Sequence, residues 1–313
     1  MDRALVLPAA LRRGVEETVG RLYAPAGRER EDFARPPGEP ALVAPDSLSW
    51  RVFKNPAVLF VGGVAAVVLE LAEPRVRTGV WEHSAFRRQP LERLRRTALA
   101  TVVTVYGARS RAEALVARVT RLHERVAGTT PQGERYAATD RELLDWVQAT
   151  AAFGFAEAHH AFVRPLAREE RDRLLAEGVP AARLYGATGA PRSQAALEAL
   201  FAGMRDRLEP SPIVHEFLGI VRDMPVLPAP VRPVQRLLLR AAVEVVPAWA
   251  RSRLGLRADL APWEREVVKG IAGAADRLLL PSSAAVQACR RMGLPDDYLY
   301  SPADPGSAPG LRG

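Results

Sequence analysis

The stretch from Pro56 to Ala72, PAVLFVGGVAAVVLELA, constrains the fold more than any other part of the chain. It is almost wholly apolar, yet shorter than the roughly 20 residues that a membrane-spanning helix needs. It also holds Gly62-Gly63 and one carboxylate, Glu70. A helix this apolar must be covered on nearly every side, so it reads as the buried core helix of a globular domain. Membrane association through an apolar or basic face stays open as an alternative.

The rest of the chain carries the same helical period. Pro90 sits where a first helical residue would, and Gly107 where a helix would stop, with LERLRRTALATVVTVY between them. Ser110 and Glu113 have the spacing of a capping box. Behind them, Leu115, Val119, Leu122 and Val126 form one helical stripe, with Gly128 as its end. Thr129 to Ala138 holds a Pro-Gln-Gly turn between short arms, so a small hairpin or ordered loop is expected within 128–138. Thr139 and Glu142 form a second capping box before a helix that runs to Pro165. Further helices are expected at about 168–177, 193–208, 212–222, 232–253, 263–279 and 282–292, with Pro247 kinking the fourth of these segments. No internal repeat and no alternation of strands with helices occurs, which excludes a Rossmann-type domain. The expected fold class is all-α: a loose extension over 1–45, one large helical domain over 46–300 and a disordered tail over 301–313.

Composition narrows the chemistry. A single cysteine among 313 residues excludes a disulfide within one chain, a Cys-based zinc site and an iron–sulfur cluster. The net charge of +8 would suggest a nucleic-acid partner, but Lys54 and Lys269 are the only lysines among 44 basic residues. Abundant arginine with abundant alanine looks like GC-rich coding. The arginines also alternate with acids, as in Arg28-Glu29-Arg30-Glu31, so solvated faces are the expectation and nucleic acid is not an expected partner. The N-terminus lacks a compact apolar run with a cleavage site, so a cytoplasmic location is expected. No phosphate loop, nucleophile elbow, zincin helix or dinucleotide fingerprint is present.

A few residues could carry chemistry. Arg93, Arg96 and Thr97 lie at i, i+3 and i+4, so two guanidinium groups and a hydroxyl share one helix face. That donor-rich face could hold a carboxylate or stabilise a bound oxygen species, or be solvent-facing around Leu94. His123 stands at the edge of an apolar stripe, either a metal or haem ligand or a satisfied half-buried histidine. His83, in Trp81-Glu82-His83-Ser84, suits a polar pocket or a capping role. His159 and His160 diverge by about 100° on a helix, and one of them is expected at the surface. His215 carries no signal, and Cys289 reads as a small buried hydrophobe.

Taken in order, four blocks resemble a known family: RVFKNPAVLFVGG, LELAEPRVRTGVWEHSAFRRQPLERLRRT, RVTRLHERVAG and GERYAATDRELLDWVQAT. They are similar to the MpaB-type oxygenases, whose relatives include the latex-clearing rubber oxygenases. The resemblance implies an all-helical fold with a globin-like core, a haem b cofactor, dioxygen and a small apolar, isoprenoid- or lipid-like substrate. It implies His123 as axial iron ligand, in Arg121-Leu122-His123-Glu124-Arg125-Val126, and Arg93, Arg96 and Thr97 on the oxygen side. The chain departs from the pattern at Glu73 and Gln148, where many relatives carry histidine, and at Val64-Ala65, where they often carry an arginine. Glutamine is a poor haem ligand, so iron ligation falls to His123, with Gln148 a neighbour of the cofactor. Glu73 and Glu82 are carboxylates that could act as a base or pair with arginines. Two rival readings remain. One is a haem-free enzyme that uses Arg93, Arg96, His83 and Gln148 on a polar substrate. The other is a non-enzymatic helical protein that binds lipid or a partner through its arginine-rich faces, which would include peripheral membrane contact.

Overall fold

A computed structural model describes residues 4–24 and 30–301. All but one residue of the expected C-terminal tail therefore lies outside the described residues. The first helices are α1 (Ala9–Leu22), α2 (Leu48–Phe53), α3 (Pro56–Ala72), α4 (Pro74–His83), α5 (Pro90–Tyr106) and α6 (Arg109–His123). A hairpin follows, β1 (Ala127–Thr129) and β2 (Arg135–Ala137), paired antiparallel with Gly128 opposite Tyr136. The chain then continues through α7 (Arg141–Phe162), α8 (Arg168–Leu184), α9 (Gln194–Met204), α10 (Pro212–Asp223), α11 (Arg232–Val245), α12 (Ala248–Leu254), α13 (Pro262–Arg277) and α14 (Ala284–Arg291). The fold is all-α with one small hairpin, as the periodicity implies.

The apolar run is the centre of the molecule. Asn55 caps α3 by accepting from the N–H groups of Ala57 and Val58, at 3.0 and 3.2 Å, with Pro56 at the first helical position. Eleven of its residues are buried, including Val58, Val61, Val68 and Leu69. Each such aliphatic side chain contributes about 1.5–3 kcal/mol by leaving water. No single helix among the described residues is long and apolar enough to cross a membrane; α3 meets α4 at 107°.

The closest partner of α3 is α7, with α11 on another side. Two glycines explain the approach. A Cβ on Gly62 would lie 2.7 Å from the Gly154 carbonyl oxygen, and one on Gly154 would lie 2.3 Å from that of Gly62. Neither position has room for a side chain, so the backbones touch and the two helices are locked in one register. That register carries Glu70 of α3 to Thr150 of α7.

A second core forms where α2, α5 and α14 meet residues 33–43. Trp50 Nε1 donates to the Val43 carbonyl at 3.0 Å, and the Tyr106 hydroxyl donates to the Trp50 carbonyl at 2.7 Å. Buried Arg291 donates to the carbonyls of Phe33 and Tyr106, both at 2.7 Å. These bonds satisfy the buried polar atoms and hold α5 by its C-terminal half. Cys289 is fully buried here with a free thiol, as its spacing suggests.

Several local expectations are corrected. Helix α6 begins one residue before Ser110, whose N–H and hydroxyl instead donate to Glu39 at 2.6 and 3.0 Å. Its Glu113 faces Arg109 at 3.9 Å, so no capping box forms. The helix ends at His123 and not at Gly128, because the chain turns there into the hairpin. Asp140, not Thr139, precedes α7, and Glu142 accepts from Arg75 and Arg207 at 3.1 and 2.7 Å. Helix α8 runs on through Pro180 to Leu184, while Pro247 ends one helix and opens the next where a kink was expected. Pro180 is the exception to the rule that proline stops a helix.

Candidate active site

Helix α3 has one face that is only partly covered. Phe60, Gly63, Val67 and Glu70 are half-buried, at steps of three, four and three, while most other positions from Ala57 to Ala72 are buried. This partly open, apolar stripe is the wall of a candidate cleft. At its Glu70 end, Arg93 of α5 is near enough to act on the Glu70 charge, and His123 of α6 is near enough to be acted on by Arg93.

Glu70 is the first of these three groups. Burial pushes its carboxyl up to about 7, against the pull of Arg93 and of the Thr150 hydroxyl. Sequence reasoning treated Glu70 only as a blemish in an apolar run. The signal was there: a lone carboxylate in an otherwise uncharged core helix needs a reason.

Arg93, one turn into α5, is the second. Burial lowers its pKa, Glu70 raises it, and nearby Arg96 lowers it. Its Nη1 donates to the Thr97 hydroxyl at 2.7 Å, and that hydroxyl donates in turn to the Arg93 carbonyl at 3.0 Å. The i, i+4 spacing does bring Arg93 and Thr97 together. The hydroxyl proton is spent on the backbone, however, so Thr97 aims Arg93 and does not itself donate into the cleft. Arg96 is exposed.

His123 is the third. It lies on the side of α6 that carries buried Ala112 and Val116, and its ring makes no hydrogen bond to the described residues. Burial lowers its pKa below the ordinary 6.5, and the Arg93 charge adds to that. The imidazole is therefore neutral at pH 7, with a lone pair free to bind a metal.

The remaining candidates lie elsewhere. His83 is exposed at the end of α4, its ring 6.5 Å from that of Tyr136. Gln148 is half-buried on α7, on the side of Phe155, whose ring lies against Gly63 of the α3 stripe. Glu73 is buried and structural: it accepts from the Val76 N–H at 2.8 Å as the cap of α4 and from Arg75 Nε at 2.6 Å. Glu82 is exposed. The expectation that one of the paired histidines is at the surface fails. His159 is buried, which pushes its pKa down to about 4, and half-buried His160 accepts from the Leu166 N–H at 2.9 Å.

An all-helical domain with a carboxyl, an arginine and a neutral imidazole along an apolar cleft has the makings of a cofactor-dependent enzyme on hydrophobic substrates. The sequence agrees with that class. Residues 50–277 match the model of the ER-bound oxygenase mpaB/B′ and rubber oxygenase catalytic domain, and the chain belongs to this family. It thus carries an oxygenase catalytic domain. No curated protein and no solved structure matches the chain.

The donor set can be tested against the cofactor that the family implies. No group of three or more His, Cys, Asp or Glu residues that could hold a bare metal ion occurs among the described residues. A porphyrin brings four of the iron's ligands and needs only one from the protein. His123, neutral and unpartnered beside the cleft, fits that single requirement.

Proposed function

We propose that the chain is a haem b-dependent oxygenase acting on an apolar, isoprenoid- or lipid-like small molecule. The observation that carries this reading is His123: a neutral imidazole without a protein partner among the described residues, near Arg93. When bound, haem b would supply an iron centre that activates dioxygen, with His123 as its protein ligand.

The chain's own residues have separate tasks. Desolvation keeps the His123 ring neutral, the form that binds metal. Arg93, held by Thr97, offers its remaining N–H groups to negative charge that develops in the cleft. Glu70 titrates near neutrality, so its carboxyl can give or take a proton at working pH. Phe60, Gly63 and Val67 present an apolar wall that excludes water and suits a hydrocarbon chain. Exposed Arg96 stands at the rim.

The haem-free alternative asks Arg93, Arg96, His83 and Gln148 to share one polar site. Arg96 and His83 are exposed while Arg93 and Gln148 are half-buried, so the four do not share one enclosed polar site.

The deciding experiment is the visible spectrum of the purified protein after haem reconstitution. A Soret band is expected in the native chain, and its loss in a folded His123→Ala variant. A native protein that stays colourless overturns the reading, as does an unchanged band in the variant.

A further inference from the structure

The outer face of α6 carries a pattern that the cleft does not use. Arg111, Arg118, Arg121 and Arg125 fall at i, i+7, i+10 and i+14. At about 100° per residue they lie within an arc of roughly 80°. All four are exposed, Arg125 in the turn just past the helix end. None makes an ion pair or hydrogen bond with the described residues, in a molecule where most other arginines on its helices are paired with carboxylates or carbonyls. The acids of this helix sit on another side. Glu113 faces Arg109, and Glu124 lies about 100° from Arg125.

About 20° beyond one edge of the arginine arc, and along the chain between Arg121 and Arg125, stands Leu122, which is 55% exposed. An apolar side chain held out beside guanidinium groups gains nothing from water or from a purely ionic partner. It fits a surface that is anionic outside and hydrocarbon within. Arginine is weakly hydrated and binds phosphate bidentately, which suits lipid headgroups. His123 occupies the opposite, inward side of the same helix.

We infer that the α6 face of Arg111, Arg118, Arg121, Arg125 and Leu122 docks on an anionic lipid bilayer. The arginines engage headgroup phosphates and carboxylates, and Leu122 enters the acyl boundary. The inference does not depend on haem, since it rests on charge and exposure alone.

The test is co-sedimentation of the full chain with vesicles. Pure phosphatidylcholine is compared with a phosphatidylcholine–phosphatidylserine mixture, at low and at physiological salt. Binding to the anionic vesicles that weakens with salt is expected, with little binding to the neutral ones. The triple reversal Arg118→Glu, Arg121→Glu, Arg125→Glu should weaken it at least about tenfold. A matched reversal of exposed Arg232, Arg236 and Arg257 should leave most of it. Leu122→Ser should lower the salt-resistant part of binding. No binding to anionic vesicles by the native chain would overturn the inference. So would equal loss in the two triple variants, which means general charge attraction, or binding that responds to charge but not to Leu122, which means that no side chain enters the acyl boundary.

Discussion

Glu70 and Glu73 stand three residues apart, both beside arginines, and the fold uses them in opposite ways. Glu73 closes α3 and opens α4. Both its oxygens are taken, one by the Val76 N–H and one by Arg75, and it is 1% exposed. Arg75 also reaches Glu142 at 3.1 Å, and Glu142 in turn binds Arg207. Every charge in that network has a fixed partner, which is how a buried ion pair contributes to structure. Glu70 has no such closure. It faces a partly open cleft, with Arg93 near enough to act on its charge but tied to Thr97. Fully partnered groups hold a fold together, while a desolvated group with spare bonding capacity is available for chemistry.

Three experiments would break or sharpen that contrast. The largest effect is expected at the closed site. Glu73→Ala removes the α4 cap and one partner of buried Arg75, and should cost roughly 2–4 kcal/mol in chemical denaturation. Haem uptake per folded molecule should change little, and a large loss of uptake would mean that Glu73 serves the cleft.

The second tests the joint that positions Glu70. In Gly154→Ala the new methyl meets the Gly62 backbone, so α3 and α7 must part, at about 2–3 kcal/mol. Separation should let water in and move the Glu70 carboxyl back toward its ordinary range. Infrared detection of its protonated form against pH would follow this, and an unmoved titration would show that the glycine contact does not position Glu70.

The smallest effect is Glu70→Gln. Because the folded value, about 7, lies above the ordinary 4.5, the folded chain holds this proton more tightly than the unfolded chain. The stabilisation is full below about 4.5 and is lost as pH rises to about 7. Across that window the native chain should lose roughly 1–2 kcal/mol relative to Glu70→Gln, with partial exposure keeping the figure low. Paired denaturation curves at several pH values measure it. The same variant should lower oxygenase turnover far more than Glu73→Gln does.

Much of this was legible in the chain. The apolar run from Pro56, and Pro90 and Gly107 at the two ends of α5, read correctly, because helix period and proline or glycine punctuation are local properties. The pairing of Arg93 with Thr97 was legible for the same reason. The capping boxes at Ser110 and Thr139 were not. Glu39 and Arg75, distant in sequence, compete for the same groups, and no local pattern reveals a distant competitor.

The amino-acid order alone decided that this chain would be helical, that α3 would be its core and that Arg93 would be aimed by Thr97. These follow from contacts within a few residues, where backbone geometry leaves little choice. The tertiary structure decided that Glu70 would lie on the partly open face of α3 while Glu73 is closed in by Val76 and Arg75, and that Arg93 would act on both Glu70 and His123. Those outcomes depend on how closely Gly62 lets Gly154 approach and on how far burial shifts each charged group. Both are set by neighbours that come from elsewhere in the chain.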